Sequence, residues 1–337
     1  MATATIRDVA QKAGVGVGTV SRVLNDSTSV SQETRRKVLA AISELDYSPN
    51  PAARRLSRGK TMVIGALVPY FTNPSVVRRL QGIVSVVTNS AYDLILFDVE
   101  SIDRRDIYLL NVLRRQMVDG LLIISLTPSA TDFDYLQQFE VPTVLVDAYH
   151  PELNRVIVDN VAGGYLATQH LLELGHRRIA YISDFLDDPF NSPVRDRFRG
   201  YQQALAEAGV AFRPEYHLQG EHGRYEARAM TNTLLKMPTP PTAIFAYSDT
   251  QAIGVIEAAT EAGIKIPDQL SVIGFDNIEA AEYLQITTIR QALYESGVCG
   301  CELLLQVMAN PLPEPQEISL PIELVRRNTT AAPPTQS

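Results

Sequence analysis

The sequence predicts two fold classes in one chain: a small all-α helix-turn-helix head, followed by an α/β body of two doubly wound lobes with parallel sheets. Within the first 47 residues, apolar side chains recur at helical spacing on both sides of a glycine turn. From about residue 61 onward, short apolar runs alternate with helical stretches, which is typical of parallel strands buried on both faces. These two patterns divide the chain into a head and a body.

Three short helices are expected in the head. Thr5 can cap the first helix, and Gly14 ends it because glycine tolerates the positive φ that a turn requires. Ser31 is the expected cap of the third helix. The apolar positions that would form their shared core are Ile6, Val9, Ala10 and Ala13, then Val15, Val20, Val23 and Leu24, then Val38, Ala41, Ile42 and Leu45.

In a helix-turn-helix unit, the second helix enters the major groove of DNA with its N-terminal residues against the base edges. Val17, Gly18 and Arg22 are then the candidate base readers, because the arginine fork fits the O6 and N7 acceptors of guanine and valine can contact a thymine methyl. Thr19 and Ser21 are expected to hold phosphates. The alternative is a generic helical hairpin with solvated charges.

Charge supports a nucleic-acid partner for the head. Residues 1–60 hold ten Lys and Arg against five Asp and Glu, so the remainder of the chain holds 20 basic and 33 acidic residues out of totals of 30 and 38. A basic head attracts phosphates, whereas an acidic body is repelled by DNA. Thr5 and Asn25 complete the expected DNA-binding set of the head.

A hinge is predicted at residues 48–60. Pro49 holds Ser48 extended, Asn50 is a good N-cap, and Pro51 falls at the first helical position, where its missing N–H has no cost. A helix of one to two turns is too short to be stable alone in water. We expect it to order when DNA or a partner helix packs against it.

Seven apolar runs predict the strands of the body, and they fall into two successive series. Each series predicts one doubly wound lobe, with a ligand-binding crevice at the carboxyl ends of its strands. The runs are Val63–Val68, Leu94–Phe97, Gly120–Ile124 and Thr143–Val146, then Ile179–Ile182, Ala243–Ala246 and Ser271–Phe275.

Several motifs together resemble the LacI (lac repressor) family of transcriptional regulators. They are Ile6-Arg7-Asp8-Val9-Ala10, Thr19-Val20-Ser21-Arg22-Val23-Leu24-Asn25, Asn50-Pro51-Ala52-Ala53-Arg54, Val158-Asp159-Asn160, Leu174-Gly175-His176-Arg177-Arg178-Ile179-Ala180, Val272-Ile273-Gly274-Phe275-Asp276 and Thr287-Thr288-Ile289. The resemblance implies a periplasmic-binding-protein-like body whose chain crosses between lobes near residues 160, 290 and 320. It also implies a minor-groove role for the hinge helix, with Leu56 wedged between central base pairs and Ala53 beside it. The alternative for Leu56 is packing between two hinge helices.

The expected domain boundaries follow from these observations. The DNA-binding head covers residues 1–47, the hinge 48–60 and the effector-binding and dimerisation domain 61–328. Within this last domain the N-lobe covers about 61–160 and 291–320, and the C-lobe about 161–290 and 321–328. Residues 329–337 are expected to be a disordered tail.

The resemblance also implies an effector site between the lobes. Arg197 and Asp276 fall at the family's effector-contacting arginine and carboxylate, and Asp147 is an acid at an N-lobe strand end. Charge-assisted bonds from such groups to vicinal hydroxyls orient a sugar. Ser248 replaces the family's common asparagine, and Phe71, Asn73 and Phe190 complete the set. Because the chain has no tryptophan, a stacking platform must come from tyrosine or phenylalanine. The alternative for Arg197 and Asp276 is a structural ion pair between the lobes.

The sequence therefore predicts a homodimeric repressor that binds two-fold symmetric double-stranded operator DNA and responds to a small molecule, most simply a carbohydrate. An alternative is a global regulator whose body docks a partner protein. A periplasmic sugar carrier or sugar enzyme is disfavoured, because the chain lacks an export signal and suitably spaced paired carboxylates. We expect no catalysis, metal, cofactor or membrane span, and a cytoplasmic location.

Overall fold

The computed structural model describes residues 4–24, 27–47, 60–99, 102–187 and 192–334, without the side chains of residues 102–106 and 192. The chain forms two compact units, Met1–Thr61 and Met62–Ser337. The predictions made for Asn25 and Phe190, and those made for the hinge residues Asn50, Ala53 and Leu56, lie outside the described residues.

The head is built from three helices: α1 (Ile6–Ala13), α2 (Val17–Leu24) and α3 (Gln32–Glu44). Thr5 caps α1, because its hydroxyl accepts from the backbone N–H of Asp8 while the Asp8 carboxylate accepts from the Thr5 N–H at 2.7 Å. Gly14 ends α1 with a φ of 67°, as its position predicts. Ser31 caps α3. The buried core of the head is Val9, Ala10, Val20, Val23, Val38 and Ala41.

The body alternates strands and helices along most of its length. In chain order its elements are β1 (Val63–Pro69), α4 (Pro74–Val87), β2 (Asp93–Val99), α5 (Ile102–Arg114), β3 (Gly120–Ile124), α6 (Ala130–Phe139), β4 (Thr143–Val146), β5 (Asn154–Val158), α7 (Asn160–Glu173), β6 (Ile179–Asp184), α8 (Ser192–Glu207), a 3-10 turn (Pro214–Tyr216), β7 (His217–Gly220), α9 (Arg224–Leu235), β8 (Ala243–Ala246), α10 (Asp249–Glu261), β9 (Ser271–Asp276), α11 (Glu279–Tyr283), β10 (Thr287–Gln291), α12 (Leu293–Ala309), β11 (Glu317–Leu320) and β12 (Ile322–Val325).

These strands form two sheets, which define the N-lobe and the C-lobe. The N-lobe sheet has the order β11-β5-β4-β3-β1-β2, and its neighbouring strands are all parallel. The C-lobe sheet has the order β12-β10-β9-β8-β6-β7, and only the pairing of β12 with β10 is antiparallel. Two apolar clusters pack in each lobe, so the predicted α/β class is confirmed.

Burial on both faces was expected of every predicted strand, and this is wrong for β2. Residue Leu96 of β2 is 42% exposed, whereas each residue of β1 is buried. The reason is position in the sheet, because β2 lies at the edge and β1 lies inside it. An apolar run in the sequence does not reveal which strand will be the edge.

The chain passes between the lobes at three short connections. It leaves β5 of the N-lobe for α7, which packs on α8, β10 and β12 of the C-lobe. It returns from β10 to α12, which packs on α4 and β4 of the N-lobe. It crosses once more between β11 and β12. The carboxyl ends of the strands that precede these connections therefore lie where the two lobes meet.

The prediction of a disordered tail from Thr329 is wrong for its first residues. The Thr329 carbonyl accepts from the Val272 N–H at 2.7 Å, and its hydroxyl donates to the Val272 carbonyl at 2.7 Å. The Ala331 carbonyl lies 2.9 Å from Nε2 of His176, which is 1% exposed. These bonds hold the segment against the C-lobe sheet, and its small polar residues gave no apolar pattern that could have predicted this.

Across the described ranges, no helix is both long and apolar enough to cross a membrane.

Candidate functional site

One face of α2 in the head carries exposed residues. Val17 is 42% exposed, and Gly18 and Arg22 are also exposed, whereas Val20 and Val23 of the same helix are buried in the core. A Cβ at Gly18 would have no atom within 4 Å. Helical periodicity thus separates α2 into a packed face and an open face. The open face can approach a groove closely, because it lacks bulky side chains at its N-terminal end.

The body contains a cavity at the carboxyl ends of the strands of both lobes. It encloses about 580 Å³, its open mouth included. Several residues around it have positive φ although they are not glycine: Tyr70, Ser125 and Asp147 follow N-lobe strands, and Asp276 ends β9 with a φ of 109°. Such conformations cost free energy and concentrate at binding sites. The residues that line the cavity are Pro69, Tyr70, Asn73, Ser75, Val76, Arg79, Ser125, Asp147, Asp184, Pro193, Arg197, His222, Tyr247, Ser248, Asp276 and Gln291.

Arg197 is the central cation of the C-lobe side. It is 3% exposed, donates from Nη1 to the Tyr247 carbonyl at 2.8 Å, and lies with Nη2 3.6 Å from Oδ1 of Asp276. Its guanidinium carbon lies 3.6 Å from the centre of the Phe275 ring. Both partners belong to the C-lobe, so their ion pair lies within one lobe and not between the two, and a structural role remains the alternative to effector binding. Burial raises the pKa of Asp276, and the charges of Arg197 and Arg79 oppose that shift.

A second buried ion pair lies on the N-lobe side. Nη2 of Arg79, on α4, lies 2.7 Å from Oδ2 of Asp147, and the two side chains are 3% and 6% exposed. The Ser125 hydroxyl donates to the same carboxylate oxygen at 3.0 Å. The sequence predicted Asp147 at this place but missed Arg79. Its helix carries no family motif, and arginine on a helix is usually solvated.

Two amide side chains, one at each of the first two connections, join these ion pairs across the cleft. Asn160 accepts from Nε of Arg197 at 2.9 Å and donates to Oδ1 of Asp147 at 3.4 Å. Gln291 accepts from Nη2 of Arg79 at 2.9 Å and donates to Oδ1 of Asp276. The six side chains form a closed ring of polar contacts, which we call the interlobe ring. Its members belong to both lobes, so any change in lobe orientation must break or stretch it.

A charged pair also lies beside the ring, at the C-lobe wall. Nδ1 of His222 lies 3.0 Å from Oδ2 of Asp184, and Nε2 of Gln251 donates to Oδ1 of the same carboxylate at 2.8 Å. Burial lowers the pKa of His222, but the hydrogen bond and charge of Asp184 outweigh burial and leave the pKa above its ordinary value. The sequence analysis did not single out His222, because it lies in no recognisable motif and its partner Asp184 is 38 residues away in the chain.

The remaining predicted effector residues have different positions. Asn73 lines the cavity and its amide makes no capping hydrogen bond to α4. Ser248 also lines it, but its hydroxyl accepts from the Gln251 N–H at 3.2 Å and so caps α10. Phe71 is 42% exposed and lies outside the cavity lining, whereas Tyr70 is part of it. In the part of the chain that is described, no group of three or more His, Cys, Asp or Glu side chains is arranged to hold a metal ion.

The fold and these two sites define a class of protein: a helix-turn-helix DNA-binding head joined to a two-lobed small-molecule sensor. Family models match both parts, the bacterial regulatory proteins of the lacI family over residues 5–50 and the periplasmic binding protein-like domain over residues 168–330. The repressor PurR of Photobacterium profundum is 35% identical over 334 residues, with 97% of this chain and 98% of that protein covered.

Solved structures agree with this assignment. The lac repressor dimer bound to operator and the anti-inducer ONPF is 28% identical, with a TM-score of 0.84 over 98% of this chain and 100% of that chain. A LacI family regulator from Enterococcus faecium with bound ribose is 32% identical, with a TM-score of 0.71 over 80% of this chain and 99% of that one. The chain belongs to the LacI family. It is a dimeric, DNA-binding transcriptional repressor whose partners are operator DNA and a small-molecule effector.

Proposed function

We propose that the effector is a sugar or sugar derivative and that it binds in the cavity between the lobes. The observation that carries this proposal is the buried Arg197–Asp276 pair, with Asp147 facing it from the other lobe. Carboxylates and guanidinium groups bind vicinal hydroxyls through charge-assisted hydrogen bonds. The cavity also lies at the carboxyl ends of the strands of both lobes, which is where α/β sheets bind their ligands. The ribose in the related Enterococcus faecium regulator supports the same ligand class.

Effector binding changes operator affinity through the orientation of the lobes. The interlobe ring holds one orientation when no ligand is bound, because its contacts join both lobes through Asn160 and Gln291. A sugar that takes over contacts from Arg197 and Asp276 binds the two orientations with different affinity, and this difference shifts the equilibrium. In a dimer, the shift changes the spacing of the two heads on a two-fold symmetric operator.

In the head, the open face of α2 reads the operator. Val17, Gly18 and Arg22 contact base edges, and Thr5, Thr19, Ser21 and Asn25 contact phosphates. The hinge residues Asn50, Ala53 and Leu56 contribute a minor-groove contact in which the leucine bends the duplex. The protein catalyses no reaction and acts in the cytoplasm, where its DNA is.

The effector proposal is tested by calorimetry of the full-length protein with D-ribose, D-glucose, D-galactose and cellobiose, and with adenine as a planar comparator without hydroxyl groups. We expect one of the sugars to bind and to change the affinity for an operator selected from a random DNA library. Binding of none of the sugars would contradict the proposal and favour a body that docks a partner protein.

The cleft assignment is tested with Asp276→Asn. This variant keeps the size of the side chain but removes the charge of Asp276 from the interlobe ring, so operator affinity without sugar is measured separately from the sugar response. Effector affinity should fall by about 2–4 kcal/mol, because a buried charged hydrogen-bond partner is lost. The matched control is Glu323→Gln, which neutralises a carboxylate of an exposed ion pair with Arg290 in the same lobe. An unchanged sugar response in Asp276→Asn would exclude this carboxylate from the effector site.

A further inference from the structure

The two lobes place an arginine and an aspartate at equivalent positions. In the sheet orders β1 corresponds to β6, and β4 corresponds to β9. Arg79 lies on the helix that follows β1, and Arg197 lies on the helix that follows β6. Asp147 directly follows β4, and Asp276 is the last residue of β9. Each lobe thus presents one guanidinium and one carboxylate at equivalent positions to the shared cavity, and the C-lobe adds the carboxylate of Asp184.

The packing that holds the two arginine-bearing helices is also equivalent. Gly82 lies three residues after Arg79, and Gly200 lies three residues after Arg197. A Cβ at Gly82 would lie 2.1 Å from the Tyr294 carbonyl oxygen of α12, and one at Gly200 would lie 2.0 Å from the Val161 carbonyl oxygen of α7. Both arginines are therefore fixed by a close helix contact that glycine alone permits.

The interlobe ring repeats the same relation in its hydrogen bonds. The amide of Asn160 accepts from the C-lobe arginine and donates to the N-lobe aspartate. The amide of Gln291 accepts from the N-lobe arginine and donates to the C-lobe aspartate. Exchange of the two lobes converts one set of contacts into the other. Since the C-lobe pair is the proposed effector anchor, the N-lobe pair has the same chemistry available.

Arg79 also has an unused donor. The Arg79 side chain lines the cavity and is only 3% exposed, and its Nε has no hydrogen-bond partner in the described part of the chain. Buried donors in folded proteins are nearly always satisfied, so this N–H requires an oxygen acceptor, and a water or a ligand hydroxyl can supply one. A neutral ligand oxygen fits this position better than an anion, because Asp147 already balances the charge of Arg79.

We propose that Arg79 and Asp147 form a second diol-binding pair, so that the effector is a polyol that presents one vicinal diol to each lobe. This inference rests on the proposed function and narrows its ligand class to sugars with hydroxyl groups along two edges of the ring. A ligand that engages both arginines competes with both bridging amides at once. Binding is thereby coupled to lobe orientation from the two sides of the cleft.

The test uses full-length protein, calorimetry, and whichever sugar of the panel binds the wild type. Arg79→Lys keeps the charge beside Asp147 but loses the planar fork, and we expect sugar affinity to fall about 10-fold or more. The double variant Arg79→Met with Asp147→Asn removes the pair without leaving a buried charge, and we expect a loss of about 100-fold. The matched control Arg290→Met alters an exposed ion pair and should bind as the wild type does.

Deoxy analogues of the bound sugar supply a second measurement. We expect one deoxy position to weaken wild-type binding about 10-fold or more and to have no further effect in Arg79→Lys, because the missing hydroxyl and the missing fork belong to one contact. Wild-type affinity in both Arg79 variants would overturn the second pair while leaving the sugar effector intact. Failure of all sugars to bind the wild type would instead overturn the proposed function itself, and this inference with it.

Discussion

The close contact between α7 and α8 positions Arg197, and Gly164→Ala tests this directly. A Cβ at Gly164 would lie 2.1 Å from the carbonyl oxygen of Arg197 and 2.8 Å from its carbonyl carbon, whereas real Cβ atoms essentially never approach closer than 3.0 Å. The obstacle is backbone, which cannot rotate aside. The two helices must therefore separate by about 0.9 Å at this point.

The free energy of unfolding should fall. Overpacking of this kind costs about 1–3 kcal/mol, with the upper end expected where backbone is the obstacle. The higher helix propensity of alanine offsets about 1 kcal/mol of this cost. The same separation would lengthen the Arg197 Nε to Asn160 Oδ1 bond from 2.9 Å to beyond hydrogen-bonding distance, which removes a charge-assisted bond worth about 1.5–3 kcal/mol. The sum of these terms is an expected net loss of about 1.5–5 kcal/mol.

The measurement is thermal unfolding followed by far-ultraviolet circular dichroism, together with sugar affinity by calorimetry. At about 1.7 °C per kcal/mol for a body of this length, a loss of this size lowers the Tm by about 3–9 °C. The control is Gly18→Ala in α2, where a Cβ meets no atom within 4 Å and where stability should not fall. A Gly164→Ala protein with the Tm of the wild type or a higher one would refute the argument that this glycine sets the helix spacing.

Three further outcomes are expected. Burial lowers the pKa of His170 from 6.5 to about 4, so between these pH values the unfolded chain binds a proton at this residue and the folded chain does not. The free energy of unfolding should therefore fall by up to about 2 kcal/mol as the pH drops from 6.5 to 5. Urea midpoints that do not change with pH, or that change with pH equally in the wild type and in His170→Gln, would contradict this. Arg22→Ala should weaken operator binding by about 1–3 kcal/mol and relax preference at one base pair of each half-site, while affinity for random DNA changes far less; equal losses on both DNAs would exclude a base-reading role. Three apolar side chains of α4 and β2 are exposed, and we expect them at the dimer interface: Val77 (39%), Val84 (48%) and Leu96 (42%). In light scattering, the wild type should show twice the chain mass of 37.2 kDa, and Val84→Glu should approach the mass of a single chain. A tetrameric wild type, or a Val84→Glu protein that is still a dimer, would contradict this assignment of the interface.

Much of the head could be predicted from the sequence, because its helices are specified by neighbours in the chain. Thr5 and Ser31 cap helices through bonds to residues three positions away, and Gly14 ends α1 by its own backbone freedom. Seven of the twelve strands described in the body were also predictable from apolar runs, although the run of β2 lies at a sheet edge and is partly exposed. Within the cleft, Arg197 and Asp276 were found because the chain carries the family motifs around them.

The sequence by itself thus determined the element types, the order of the lobes and one half of the candidate site. Tertiary structure decided the other half. Arg79 and Asp147 are 68 residues apart, and Arg79 and Gln291 are 212 apart, so their contacts exist only once the strand order of both lobes is set. The edge position of β2 and the docking of Thr329 on the C-lobe depend on strand order in the same way. Periodicity and capping report on the nearest few residues, whereas a ring that closes between two lobes depends on which distant strand ends the fold brings together.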